Sequence, residues 1–92
     1  MNAEEIKKDW KQRGFSFGIW ADSPGQVWQD FIHDVDELFR LAEGEVSVTI
    51  DNKTIVAIVG EEVFIPAGSV HTVITSKQGG SVWYYGYQEK QR

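Results

Sequence analysis

The apolar positions change their period near residue 14. Over residues 2–13, Ile6 and Trp10 stand one helical turn apart among charged residues, the pattern of a helix with a single narrow apolar stripe. Asn2 can cap this helix, with Glu5 three residues on in capping-box position, and Glu4 and Glu5 lie at the positive end of its dipole. Gly14 follows the last turn. The spacing predicts a helix over residues 2–13 whose Ile6 and Trp10 lie against the outside of a sheet.

Beyond Gly14 the period shortens to two. In EVSVTI (45–50), Val46, Val48 and Ile50 share one face and Ser47 and Thr49 the other. DNK (51–53) is hairpin-turn chemistry leading into TIVAIV (54–59). FSFGIW (15–20), VWQDFIH (27–33), VFIP (63–66), VHTVIT (70–75) and VWYYGY (82–87) are further β-rich segments, separated by turn signals at Ser23–Pro24–Gly25 and Gly79–Gly80. Seven or eight short strands at a spacing of about ten residues predict an all-β sandwich or barrel.

One stretch reads two ways. In HDVDELFRLAEG (33–44), Val35, Leu38, Leu41 and Ala42 recur at helical spacing and Gly44 suits a helix end. Alternatively His33 closes one strand, residues 34–36 turn, and residues 37–42 form the next strand. The β-rich surroundings favour the second reading.

Composition narrows the function. A chain of 92 residues is one small domain, burying roughly 60–65% of its unfolded surface. There is no cysteine, which removes disulfides and thiolate metal sites. Nine basic against fourteen acidic residues give a net charge of −5, so no nucleic-acid partner is expected. The longest apolar run, Ile55 to Val59, is too short to cross a bilayer, and MNAEEIKKDW has no apolar core of a signal peptide. The expected location is cytoplasmic, with no membrane partner.

Two spaced motifs remain. Gly25 is followed by Phe31, His33, Glu37 and Gly44 at intervals of six, two, four and seven positions. Gly60 is followed by Pro66, Gly68, His71 and Thr75 at six, two, three and four. This register resembles the two motifs of the cupin superfamily, with Phe31 where the first motif has its first His and Thr75 where the second has Asn. The resemblance implies an all-β, cupin-type jelly-roll barrel with a short N-terminal α-helix: residues 1–14 as the helix packing on the barrel, residues 15–92 as a single barrel domain. It also implies a homodimer.

By the same resemblance His33, Glu37 and His71 face the barrel interior as ligands of a divalent transition metal, Fe, Mn, Ni or Zn. Strand alternation places Gln29, Phe31, Phe39, Val73 and Thr75 on that face as pocket residues for a small-molecule ligand. A carboxylate inside a small barrel must be paired, protonated or coordinated. Three functions stay open: a metal-dependent enzyme acting on a small polar molecule, a non-catalytic module binding a small molecule or sensing metal, and a metal-free domain with Phe31 plugging the cavity. With both histidines used as ligands, acid–base chemistry would fall to Tyr84, an aspartate at the mouth, or water on the ion. The strand carrying Trp83, Tyr85 and Tyr87 is apolar on both faces, so the helix or a second subunit must cover one of them.

Overall fold

The computed structural model describes residues 2–89, without the side chain of Asp30; Met1 and residues 90–92 lie outside the described part. One helix, α1 (Ala3–Gln12), precedes eight strands: β1 (Gly18–Asp22), β2 (Val27–Phe31), β3 (Glu37–Glu43), β4 (Val46–Ile50), β5 (Lys53–Val56), β6 (Glu62–Ile65), β7 (His71–Thr75) and β8 (Ser81–Tyr87). They form two four-stranded antiparallel sheets, ordered β1-β8-β3-β6 and β2-β7-β4-β5. This is the jelly roll implied by the motif register.

Asn2 caps α1, its side chain accepting from Glu5 N–H while the Glu5 carboxylate accepts from Asn2 N–H. The apolar stripe is buried: Ile6 and Trp10 pack with Leu38, Phe15, Phe17 and Tyr84 on the outside of the first sheet. Trp10 Nε1 donates to Glu62 at 3.0 Å, and Arg13 grips both oxygens of the same carboxylate at 2.8 Å. Gly86 makes room for this seat, since a Cβ there would meet the Trp10 ring at 2.8 Å. The helix therefore covers the outer face of β8, leaving Trp83, Tyr85 and Tyr87 to the interior.

Residues 37–43 are strand, not helix, and the helical look of that stretch has a cause. β3 is central and buried on both faces: Leu38 joins the helix-side cluster, while Phe39 and Leu41 join the barrel core with Val46, Val48, Ile65 and Val73. A strand covered on both sides loses its alternation. The DNK hairpin closes on Asp51 and Asn52, both at positive φ, which matches the twist of the flanking strands.

Candidate metal centre

The site lies where the two motifs meet. His33 follows the end of β2, and its C=O accepts from Gly68 N–H at 2.9 Å. Asp36 then binds the same turn, its side chain accepting from Ala67 N–H at 2.8 Å. The loop between β2 and β3 is thus fastened to the Pro66–Gly68 turn, and Gly68 holds a φ of 81° that suits glycine. Glu37 opens β3 opposite Tyr87 of β8, and His71 opens β7 opposite Phe31 of β2.

These placements bring His33, Glu37 and His71 together, with one ligand atom of each within 4.8 Å of the others. The Nε2 atoms of His33 and His71 stand 3.4 and 3.5 Å from Glu37 Oε1. Glu37 and His71 are buried, their side chains 6% and 5% exposed, whereas His33 is 30% exposed and reaches the cavity mouth. Nδ1 of His71 lies 3.4 Å from the carbonyl of Ser69; an N–H there turns the lone pair of Nε2 toward Glu37.

Two imidazole nitrogens and a carboxylate oxygen therefore converge without a hydrogen bond formed to that oxygen. Glu37 Oε1 is buried and has no hydrogen-bond partner among the described residues. Burial pushes the Glu37 carboxyl up to about 7, and it lowers His71, an effect partly offset by the Ser69 contact and reinforced by neighbouring His33. Such a trio calls for a proton or a cation. Two imidazoles and one carboxylate, with no thiolate, suit a divalent first-row metal and leave further coordination positions to a ligand. The residues present fit the group.

An open cavity of about 390 Å³ adjoins the trio. Phe31 and Val73 line it, but Gln29, Phe39 and Thr75 do not. The register of β2 shifts between Trp28 and Phe31, so simple alternation fails there: Gln29 points to solvent and Trp28 takes its place on the wall. Phe39 is fully buried in the core below, its ring 5.0 Å from that of Trp83. Thr75, in the Asn position of the second motif, holds the β1–β2 turn, accepting from Gln26 N–H at 2.8 Å and donating to the Ser23 carbonyl at 3.2 Å.

Phe31, in the position of the absent histidine, lies against both imidazoles. Its ring is stacked 6.2 Å from His33 and lies 6.0 Å from His71. It walls the cavity without filling it. Tyr84 is not available for acid–base work, because it faces α1 and packs on Phe17. Tyr87 is the phenol at the site, its ring 4.8 Å from His33. Burial, with the Glu37 and Tyr85 charges, pushes it up to about 12, so it keeps its proton at neutral pH.

The sequence profile described as "Cupin domain" matches residues 18–85. The chain belongs to the cupin family. Among solved structures this cupin resembles a protein of unknown function from Rhizobium leguminosarum, 28% identical, with a TM-score of 0.73 over 83% of this chain and 71% of that one. A cupin superfamily protein from Desulfitobacterium hafniense aligns at 17% identity and a TM-score of 0.74, covering 83% of this chain and 68% of the other. An oxalate oxidase in complex with the substrate analogue glycolate aligns at 23% identity and a TM-score of 0.74 over 86% of this chain; the cupin described here spans 44% of that protein's length. At such identities the last two likenesses are of fold. No curated protein matches the sequence. No helix among the described residues is long and apolar enough to cross a membrane.

Proposed function

We propose that this cupin is a metal-dependent enzyme acting on a small organic molecule, with His33, Glu37 and His71 holding one divalent transition ion. The observation that carries the reading is the buried Glu37 Oε1, faced by two imidazole nitrogens and hydrogen-bonded to nothing among the described residues. A bound divalent ion supplies Lewis acidity and, as iron or manganese, a redox couple. The protein's own residues do the rest. Phe31 and Val73 exclude water from one wall, and Ser69 orients His71 through its Nδ1. Tyr87, protonated at neutral pH, offers a hydrogen bond to an oxygen of the bound molecule. With both imidazoles and the carboxylate engaged and the phenol protonated, no side chain at the trio is left as a general base. The chemistry proposed is therefore of a kind the ion drives rather than proton abstraction by the protein.

That same lack of a base favours one second reading, a non-catalytic module that binds the small molecule through the ion. Oxygen consumption and product analysis on metal-loaded protein separate the two. Turnover that disappears in His33→Ala and His71→Ala variants retaining their β-sheet circular dichroism supports the enzyme; stoichiometric binding without turnover for any of Fe, Mn, Ni or Zn supports the module. Wild-type metal affinity in both variants would overturn the ligand set.

A further inference from the structure

Three indoles of the cavity wall converge on one carboxylate. Asp22, buried at the end of β1, accepts from Trp20 Nε1 at 2.6 Å and Trp28 Nε1 at 3.1 Å on Oδ1, and from Trp83 Nε1 at 2.7 Å on Oδ2. The tryptophans come from β1, β2 and β8, so the carboxylate ties the two sheets together. Their polar edges are spent on Asp22, and what they offer the cavity is ring carbon.

The rings stand at steep angles, as walls do. Trp20 and Trp28 lie 5.9 Å apart at 78°, and Trp83 and Tyr85 lie 5.9 Å apart at 65°. No Lys or Arg is among the described residues that line the cavity; Glu37 lines it, and the Asp22 carboxylate lies behind the indoles on their N–H edges. Three N–H donors on one anion leave the indole rings electron-rich, and an electron-rich ring face attracts a cation. An anionic head group would find aromatic faces here and no positive partner.

We propose that Trp20, Trp28, Trp83 and Tyr85 form a cage for an organic cation, a quaternary or methylated ammonium group. The occupant is an alkylammonium compound with its positive head in the cage and an oxygen-bearing end directed at Tyr87 and the His33–Glu37–His71 trio. This deepens the proposed function and rests on it for the role of that second end. The cage itself uses none of the metal ligands.

Choline and its neutral carbon isostere, with a tert-butyl group in place of trimethylammonium, are the probes. Titrated into chelator-treated protein by calorimetry and tryptophan fluorescence, choline is expected to bind about ten-fold more tightly than the isostere. Trp20 is half-exposed, so Trp20→Leu keeps an apolar wall and removes a π face. It should cut choline affinity about five-fold or more and leave the isostere within about two-fold. Tyr85→Leu is read the same way should the first variant fail to fold. Equal or tighter binding of the isostere, or no choline binding to folded wild-type protein, would overturn the cage. Cobalt absorption on the same preparation keeps the two claims apart: cobalt bound without choline preference sinks the cage alone, and choline preference without cobalt binding upholds the cage while sinking the metal centre.

Discussion

Glu37 Oε1 and His71 Nε2 face each other at 3.5 Å inside the barrel, and the hydrogen bond of His71 to Ser69 is made through the other ring nitrogen. Two lone pairs held at that distance in a largely buried site are unfavourable until something positive comes between them. A proton serves in the metal-free protein, where burial raises the Glu37 carboxyl to about 7. A metal ion serves in the loaded one.

Metal and proton therefore compete for Glu37. The apparent metal affinity is expected to fall about ten-fold per pH unit below pH 7, where the carboxyl is protonated, and to level off above it. Calorimetric titration with zinc or manganese between pH 5.5 and 8.5 (a range of about three units around that carboxyl) measures the slope. Burial lowers His71 as well, so its own proton competes less with the metal than that of an exposed imidazole.

The metal-free protein should lose stability as pH rises. A carboxyl whose folded pKa of about 7 exceeds its ordinary value of 4.5 binds more protons folded than unfolded between the two. Its contribution is most favourable below 4.5 and is lost as pH climbs through about 7, a difference of about 3 kcal/mol for this group. Glu37→Gln should remove that dependence and abolish metal binding together. Urea denaturation of both proteins at pH 5 and pH 8 (roughly two units below and one above the raised pKa) reads it.

Restoring the missing family ligand tests the position of Phe31. Its ring lies about as far from His33 as from His71, 6.2 and 6.0 Å. Phe31→His should tighten metal binding about ten-fold or more by adding a fourth donor. No gain by calorimetry would mean that position 31 does not address the ion.

The outer face of β8 makes a separate prediction about stability. The Trp10 ring rests on Gly86, with no space for a methyl group. Gly86→Ala should destabilise the fold by about 2 kcal/mol through displaced packing. A red-shifted tryptophan emission at low denaturant would report the displaced helix.

The homodimer expected from the family is also a proposal with a surface. Ile55 and Val56 on the edge strand β5, Ile58 and Val59 after it, and Phe64 on the edge strand β6 are exposed apolar side chains. Val56→Lys should convert a dimer to a monomer in light scattering; a wild-type monomer at micromolar concentration would remove the proposal.

Much of this was legible in the chain, and the exceptions have physical causes. Capping residues and the Ile6–Trp10 spacing are local signals, so α1 reads directly. Spaced glycines, Pro66, His33, Glu37 and His71 mark turns and donors at fixed intervals, so the family register reads as well. Residues 37–43 are ambiguous because β3 is buried on both faces, which erases the alternation that identifies a strand. The pocket is harder still. A register shift in β2 exchanges Gln29 for Trp28, and nothing in VWQDF announces it. That Trp20, Trp28 and Trp83 share Asp22 depends on contacts between strands far apart in sequence. Their number was visible, but their meeting point was not.

The most direct test of the central claim is elemental analysis of protein purified without a nickel column, followed by reloading. About one equivalent of a single divalent transition metal per chain, retained on dialysis and lost in His71→Ala, is the result expected from a three-ligand centre. Metal below about a tenth of an equivalent, with no rise in melting temperature on adding Fe, Mn, Ni or Zn, would contradict it.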